Sequence, residues 1–305
     1  MNSKNPSSST KIVFFGTGQT SLEALQALNA DFDIKLVVTK PPAKNSAGKE
    51  FKNPVHEWAE KNGLGVITPA SKKDLDTALG HGEYYDCLGI VLDYGMIIPE
   101  NAIAVFSHGI LNSHFSLLPK YRGANPIRAA ILCGDKTTGI TIIKITPGLD
   151  DGPILTWALA DINNMNATEL RSKLSDINCA LLPETIRLYL AGELELVEQD
   201  PSEVSHTRKT TKADGVLDLN KPAIELAREV RAYAGWPKSQ VEINGKSFII
   251  LGAKASKQVV EIGSFKVIGK ELYLGCKAGS LKVIKIQPAG KAPMDAGPFI
   301  NGYLK

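Results

Sequence analysis

Apolar residues in the first two thirds of the chain fall into short continuous runs separated by runs with helical spacing. The continuous runs predict strands at Lys11–Phe15, Ile34–Thr39, Asp86–Leu92, Gly109–His114 and Thr141–Thr146. The helical runs predict helices at Ser21–Leu28, Pro54–Lys61, Ser71–Leu79, Asn125–Leu132 and from Asn166 to about Leu190. Strands that alternate with helices indicate an α/β fold with a Rossmann-like, mainly parallel sheet.

The last third of the chain has a different pattern, with one helix and several short strands. The helix is expected at Pro222–Ala234, and the strands at Gln240–Ile243, Ser247–Leu251, Val259–Ile262, Glu271–Leu274 and Leu281–Gln287. About five short strands suit a small OB-like β-barrel. We therefore expect a disordered tail (1–10), a catalytic domain (11–191), a polar linker (192–214) and a C-terminal OB-like domain (215–305).

Composition places the chain among ordinary globular proteins, with 305 residues, 43% apolar and 22% charged. Its four cysteines are scattered, without the spacing of a zinc site or a disulfide scaffold. No apolar run approaches the roughly 20 residues that cross a membrane. These features favour a cytoplasmic protein with no metal and no membrane association.

Charge is distributed unevenly along the chain. Residues 208–305 contain 17 Lys and Arg against 8 Asp and Glu, whereas residues 1–207 contain 18 against 24. A basic C-terminal part is typical of a protein that binds a phosphate backbone. A lysine-rich solvated surface would give the same count.

Polar side chains collect at the end of the Gly109–His114 run. Asn112 and His114 are two residues apart, so their side chains share one face of an extended strand. Asp150 follows the next strand and the Pro147-Gly148 turn, which could return its carboxylate to the imidazole. Each residue alone could be structural: a satisfied histidine, a turn asparagine and a loop carboxylate.

A second turn, Gly16-x-Gly18, follows the first predicted strand. Ser21 replaces the third glycine of a dinucleotide fingerprint, and the second strand ends in Thr39-Lys40 instead of an acidic residue. The pattern therefore disfavours NAD. It indicates a tight turn or a helix N-terminus that could accept a substrate phosphate or carboxylate.

Several motifs together resemble the formyltransferases that use 10-formyltetrahydrofolate, most closely those that act on methionyl-tRNA. The motifs are Asn112-x-His114, Ser116-Leu117-Leu118-Pro119-Lys120-Tyr121-Arg122-Gly123, Leu149-Asp150-x-Gly152, Tyr94-Gly95-Met96, Arg231-Ala232-Tyr233-Ala234-Gly235-Trp236-Pro237 and Gln287-Pro288-Ala289-Gly290-Lys291. The resemblance extends over nearly the whole chain. It departs from the family at Asp93 and Asp151, where smaller residues are usual.

This resemblance implies an enzyme that moves a formyl group from 10-formyltetrahydrofolate to the amine of initiator methionyl-tRNA, without a metal. Asn112, His114 and Asp150 would be catalytic: Asn112 would stabilise the oxyanion, His114 would move a proton, and Asp150 would orient the ring. The residues implied to border the folate are Ser116, Leu117, Leu118, Pro119, Tyr94 and Gly95.

In the family, a basic loop and a basic C-terminal domain contact the tRNA. The candidate contacts here are Lys44, Lys49 and Lys52 in a Pro/Gly/Lys-rich loop and Arg208, Lys209 and Lys212 in the linker. The loop lacks the arginine of the usual pattern. We expect a monomer.

Other functions share the same catalytic residues. They include formyl transfer to an amino-sugar nucleotide or to glycinamide ribonucleotide, and hydrolysis of 10-formyltetrahydrofolate. A non-catalytic RNA-binding relative would be a different class. The basic C-terminal part with Trp236-Pro237 favours tRNA over glycinamide ribonucleotide and separates the amino-sugar enzymes less clearly.

Overall fold

A computed structural model describes residues 10–44, 48–80 and 82–304. The expected disordered tail, residues 1–10, lies outside the described residues except for Thr10. The chain packs into two compact units. The first runs to Gly123 and continues through Gly139–Ala160 and Ser172–His206, and the second comprises Ala124–Thr138, Asp161–Arg171 and Thr207–Lys305. The domain limits given above stay a prediction.

A seven-stranded sheet organises the first unit. Its strands lie in the order Ile154–Asp161, Thr137–Lys144, Ile110–His114, Cys87–Leu92, Lys11–Gly16, Asp33–Val38 and Val66–Ile67. The pairings from Ile110–His114 to Val66–Ile67 are parallel, whereas Thr137–Lys144 runs antiparallel to Ile110–His114. The central strands carry continuous apolar runs because a parallel sheet is buried on both faces. The predicted parallel-dominated α/β fold is confirmed.

Six helices accompany these strands in the described residues, and the sequence predicts all of them except Glu100–Ala104. They are Gln19–Asp31, Pro54–Lys61, Lys72–Leu79, Glu100–Ala104, Pro126–Cys133 and Ala167–Leu190. Asn166 caps the last of them: its Oδ1 accepts from the backbone N–H of Glu169 at 3.1 Å, and Glu169 Oε2 accepts from the N–H of Asn166 at 2.8 Å. This reciprocal capping box explains why the helix begins there.

The C-terminal part forms an antiparallel sheet in the order Ser239–Ile243, Lys246–Ser256, Ser280–Pro288, Glu271–Gly275 and Phe265–Ile268, with Met294–Asp295 paired to Ser280–Pro288. Helices Ala223–Ala232 and Ala296–Tyr303 accompany it. Leu226, Leu272 and Phe299 lie in its core with no exposed surface. The structure therefore confirms a small C-terminal domain with an antiparallel sheet, where the sequence predicts an OB-like β-barrel.

One predicted strand is wrong. Val259–Ile262 forms only an isolated bridge at Ile262, and Val259 is 86% exposed. The strand of this region is instead Phe265–Ile268, which pairs with Glu271–Gly275. The β-branched residues of Val259–Ile262 have a local strand preference, but beyond the bridge at Ile262 they have no strand partner.

Polar segments contain more regular structure than their composition indicates. The basic loop has a short antiparallel pair, Ala43–Lys44 with Glu50–Phe51. Short strands also occur at Arg122–Gly123 and His206–Thr207, and 3-10 turns occur at Pro201–Glu203 and Lys212–Gly215. No helix among the described residues is long and apolar enough to cross a membrane.

Candidate functional site

The site begins at the carboxyl end of strand Ile110–His114, where ligands bind in open α/β sheets. Asn112 and His114 share one face of this strand, and the His114 side chain is 8% exposed. Ser113 points to the opposite face, where its hydroxyl donates to Asn178 Oδ1 at 2.5 Å. The alternation predicted from the sequence thus holds, and a buried polar pair lies behind it.

Asp150 reaches both of these side chains. Its Oδ1 accepts from Asn112 Nδ2 at 3.2 Å, and its Oδ2 lies 3.6 Å from His114 Nδ1. Oδ2 also accepts from the backbone N–H of Gly123 at 2.8 Å. The structure therefore brings the three predicted catalytic side chains together around one carboxylate.

The His114 ring faces an oxygen at each nitrogen. Nε2 lies 2.9 Å from the carbonyl oxygen of Tyr121, and Nδ1 faces Asp150. A carbonyl oxygen can only accept, so Nε2 carries the hydrogen in this ring orientation. A proton added at Nδ1 would meet the Asp150 carboxylate, which would stabilise the imidazolium.

A tight turn presents Asp150 to the ring. Asp150 has a φ of 51°, in the left-handed region that aspartate tolerates better than most residues. Gly152 is needed because a Cβ there would lie 1.8 Å from the carbonyl oxygen of Lys144. The neighbouring Asp151 is exposed and accepts from the Thr146 hydroxyl. Asp151 thus has a partner of its own, apart from Asn112 and His114.

The loop predicted to border the folate follows His114 directly. Thr141 fixes it from the adjacent strand, donating to the Ser116 carbonyl at 2.7 Å and accepting from the Leu118 N–H at 3.0 Å. Ser116 and Leu118 are buried, while Leu117 and Pro119 keep part of their surface exposed. Of these four residues, only Leu117 and Pro119 have exposed side-chain surface that a ligand could contact. The backbone of the loop could contact a ligand as well.

Gln199 and Ser205 of the predicted linker hydrogen-bond to the segments that carry the site, although neither belongs to a sequence motif. Gln199 donates to the carbonyl oxygens of Asp150 at 2.9 Å and Gly152 at 2.8 Å, and its own Oε1 accepts from Arg122 at 2.8 Å. The Ser205 hydroxyl accepts from the Tyr121 N–H at 2.9 Å. Both residues hold the turns that carry Asp150 and Tyr121. Sequence reasoning missed them because a polar segment contains no spacing that would distinguish them.

The Tyr94 side chain does not face a ligand site, although Tyr94 and Gly95 are predicted to border the folate. The Tyr94 side chain is 1% exposed, packs edge-on against Phe15 with ring centroids 5.6 Å apart, and has a hydroxyl without a hydrogen-bond partner. Burial raises the pKa of Tyr94 to about 12. Any folate contact at Tyr94 would therefore come from its backbone. Gly95 has a φ of 76°, and a Cβ there would lie 2.5 Å from Lys40 Nζ.

The N-terminus of helix Gln19–Asp31 is close to a carboxylate. A Cβ at Gly18, which caps the helix, would lie 3.2 Å from Asp93 Oδ2. This negative charge at the helix start opposes binding of a second anion there. The expectation that the turn accepts a substrate phosphate or carboxylate is not supported by this arrangement.

Carboxylates pair with the candidate tRNA contacts Lys44, Lys52 and Arg208. Lys44 lies 3.4 Å from Glu50, Lys52 lies 2.5 Å from Glu60, and Arg208 lies 2.5 Å from Asp214. The hydrogen bond from Lys52 lowers the pKa of the Glu60 carboxyl, and that from Arg208 lowers the pKa of Asp214. Lys49, Lys209 and Lys212 are exposed.

Within residues 10–44, 48–80 and 82–304, no group of three or more His, Cys, Asp or Glu side chains could hold a metal ion. The cysteines Cys87, Cys133, Cys179 and Cys276 are free thiols. The side chains that meet at the site are a carboxylate, an imidazole and an amide, together with backbone groups. These groups suit proton transfer and stabilisation of an oxyanion.

Comparison with known families matches both parts of the chain. Residues 10–186 match the model described as formyl transferase, and residues 209–304 match the model described as formyl transferase, C-terminal domain. A methionyl-tRNA formyltransferase from Rhizobium rhizogenes is 33% identical over 302 residues, covering 96% of this chain and 95% of the relative.

Solved structures of other formyltransferases share the fold. A sugar 3N-formyl transferase, crystallised with dTDP and 5-N-formyl-THF, has a TM-score of 0.67 at 18% identity and covers 93% of this chain and 99% of its own. Glycinamide ribonucleotide transformylase 1 from Symbiobacterium toebii has a TM-score of 0.54 at 21% identity, covering 64% of this chain and 96% of its own. These two similarities establish the fold.

Proposed function

The chain belongs to the formyl transferase family, and we propose that it transfers the formyl group of 10-formyltetrahydrofolate to the free amine of initiator methionyl-tRNA. The observation that carries this proposal is the 33% identity to a methionyl-tRNA formyltransferase across 96% of the chain. The similarity includes the basic C-terminal part, whereas glycinamide ribonucleotide transformylase 1 covers only 64% of the chain.

The reaction forms one C–N bond and breaks another. The methionyl amine attacks the formyl carbon, the carbonyl oxygen becomes an oxyanion, and the intermediate collapses when the bond to folate N10 breaks. The amine loses a proton and N10 gains one, so the products are N-formylmethionyl-tRNA and tetrahydrofolate. The enzyme must therefore stabilise the oxyanion and relay one proton.

We assign the oxyanion to Asn112. One hydrogen of its amide nitrogen is directed at Asp150 Oδ1, at 3.2 Å, which leaves the second hydrogen for the substrate. Asp150 fixes the orientation of this donor before the reaction begins. A preorganised donor of this kind contributes about 3 kcal/mol of transition-state stabilisation.

We assign the proton relay to His114. In the ring orientation described above, Nδ1 is the nitrogen free to take a proton, and Asp150 Oδ2 at 3.6 Å would stabilise the resulting cation. The carbonyl oxygen of Tyr121, 2.9 Å from Nε2, fixes the ring. His114 accepts the proton that leaves the amine and returns it to N10.

The folate would be held by the loop that follows His114. Leu117 and Pro119 offer aliphatic surface, while Ser116 and Leu118 are buried and fix the backbone through Thr141. Tyr94 would take part through its backbone and Gly95 through its open surface. In this proposal, the loop holds the formyl donor next to Asn112.

The tRNA would be held by phosphate contacts from Lys44, Lys49 and Lys52 and from Arg208, Lys209 and Lys212. Phosphates would replace Glu50, Glu60 and Asp214 as partners of three of these cations. Residues 11–191 would form the catalytic domain, 192–214 the linker and 215–305 the tRNA-binding domain. The proposed enzyme is a cytoplasmic monomer, and its free thiols agree with a reducing compartment.

The test is transfer of labelled formyl from 10-formyltetrahydrofolate to three acceptors in parallel: initiator methionyl-tRNA, glycinamide ribonucleotide and an amino-sugar nucleotide. The proposal predicts formylation of the tRNA alone. Formylation of a small amine without the tRNA would overturn the substrate assignment. Release of formate without any acceptor product would indicate a hydrolase.

A further inference from the structure

One short polar segment of the first unit braces both partners of the His114 ring. Gln199, near the start of the segment, holds the Asp150 turn by donating to the Asp150 carbonyl oxygen at 2.9 Å, and the Asp150 carboxylate faces Nδ1. Ser205, at the other end of the segment, holds the turn whose Tyr121 carbonyl oxygen faces Nε2. The groups at the two nitrogens of the ring are thus both fixed from the same segment.

Ser205 bonds to three successive peptide units of the turn that carries Tyr121. Its N–H donates to the Pro119 carbonyl oxygen at 3.3 Å, its hydroxyl accepts from the Tyr121 N–H at 2.9 Å, and its carbonyl oxygen accepts from the Arg122 N–H at 2.9 Å. Tyr121 has a φ of 65°, in the left-handed region that a bulky side chain rarely adopts. A backbone conformation of this kind persists where the surrounding contacts fix it, and Ser205 supplies three such contacts.

The peptide between Tyr121 and Arg122 determines which nitrogen of the His114 ring carries the hydrogen. Its oxygen lies 2.9 Å from Nε2, within hydrogen-bond distance, whereas Asp150 lies 3.6 Å from Nδ1, and its N–H donates to Ser205 on the other side. If this peptide rotated by half a turn, its N–H would face Nε2, which would then have to accept. The ring hydrogen would move to Nδ1, the nitrogen that takes up the proton in the proposed reaction. The orientation of this peptide is therefore a condition for the proton relay.

We propose that Ser205 is a positioning residue that selects the tautomer of His114 with the hydrogen on Nε2. The Ser205 hydroxyl fixes the Tyr121 backbone, so that the Tyr121 carbonyl oxygen faces the ring and Nδ1 is left without a hydrogen. Ser205 thus acts on the reaction through the Tyr121 backbone. The inference rests on the proposed function for the reaction that the tautomer serves, whereas the tautomer itself is a property of the free protein.

The test measures the tautomer directly, from the imidazole nitrogen resonances of isotopically labelled full-length protein at about pH 9, where histidine rings are neutral. Wild type should show a hydrogen on Nε2 of His114 and none on Nδ1, and loss of resonances in His114→Gln identifies this ring. Ser205→Ala should mix the two tautomers, so that the Nδ1 and Nε2 resonances of His114 move toward each other. Ser205→Thr, which keeps the hydroxyl, should restore the wild-type resonances.

Formyl transfer to methionyl-tRNA gives a second readout. Ser205→Ala is expected to lower kcat roughly three- to tenfold, about the effect of one hydrogen bond, and to leave KM for both substrates within about twofold. Ser202→Ala is the matched control, because Ser202 lies in the same segment but its hydroxyl donates to Asp200 Oδ1 at 2.7 Å. The control should keep both the resonances of His114 and the kcat of wild type.

The two readouts separate tautomer selection from a merely structural role. A hydrogen on Nδ1 in wild type, or His114 resonances unchanged in Ser205→Ala, would overturn the inference even if kcat fell. An unchanged kcat in Ser205→Ala would overturn it as well, because the tautomer would then not limit the reaction. If the tautomer depends on Ser205 as expected but wild type formylates no methionyl-tRNA, the proposed function fails and the selection of the tautomer by Ser205 stands.

Discussion

Asp150 Oδ2 lies 3.6 Å from His114 Nδ1 and accepts a hydrogen bond from the backbone N–H of Gly123 at 2.8 Å. Its other oxygen accepts from Asn112 at 3.2 Å. One carboxylate thus sets the positions of both an amide donor and an imidazole. The chemical assignment depends on this arrangement, which several substitutions can test.

Asp150→Asn should lower kcat by roughly 10²-fold or more while the protein stays folded. The amide keeps the size of the side chain but removes the negative charge that would stabilise a protonated His114. The measurement is the rate of formyl transfer with saturating substrates. Asp151→Asn is the matched control, because Asp151 is exposed and pairs with Thr146. Equal losses in the two variants would contradict a special role for Asp150.

Gln199→Ala should reduce kcat by about 10- to 100-fold without removing any predicted catalytic group. Gln199 fixes the turn through the carbonyl oxygens of Asp150 and Gly152, and small displacements of positioned groups are costly to catalysis. The check is kcat measured beside the free energy of unfolding. Gln199→Glu, which keeps an acceptor for Arg122 but loses the two donors, should resemble the alanine variant. Activity at the wild-type level in either variant would refute the positioning role.

Ser113 and Asn178 form a buried polar pair behind Asn112 and His114, and Asn178 Nδ2 has no partner. Ser113→Ala alone should cost about 1–3 kcal/mol of unfolding free energy, because it also leaves Asn178 Oδ1 unsatisfied. Ser113→Ala with Asn178→Leu should recover most of that loss. Denaturant unfolding of Ser113→Ala, Asn178→Leu and the double variant would measure the coupling free energy between the two residues. Strictly additive losses would show that the pair is not coupled.

Tyr94→Phe should preserve or raise stability at neutral pH, because the buried hydroxyl that it removes has no partner. The pKa of Tyr94 is raised to about 12, so the folded state favours the neutral phenol. The stability from this preference is fully present below the ordinary tyrosine pKa and is lost as pH rises toward 12. Wild type should therefore lose up to about 2 kcal/mol more than Tyr94→Phe between roughly pH 10 and 12. Parallel pH curves for the two proteins would contradict the raised pKa.

Sequence reasoning predicted the parts of this protein that local patterns determine. Helix Pro54–Lys61 begins at a proline after Asn53 and has the predicted bounds, because an N-cap and amphipathic spacing define it locally. Asn112 and His114 share a face because strand alternation requires it. The family motif then indicated Asp150, whose approach to the ring depends on a turn that spacing alone does not fix.

The remaining features depend on contacts between distant parts of the chain. Gln199 and Ser205 lie in a polar segment where composition indicates a linker, and only the folded chain brings them to Asp150 and Tyr121. Tyr94 belongs to a motif associated with the folate, yet packing directs its side chain into the core. Val259–Ile262 has β-forming residues, but apart from the bridge at Ile262 no strand pairs with them.

The most direct test of the central claim compares wild type and His114→Ala for formyl transfer from 10-formyltetrahydrofolate to methionyl-tRNA. The account predicts that wild type formylates the tRNA and that folded His114→Ala is slower by at least about 10²-fold, since general acid–base catalysis contributes about that much or more. Circular dichroism and the unfolding midpoint would establish that the variant is folded. A folded His114→Ala enzyme within a few-fold of the wild-type rate would contradict the account.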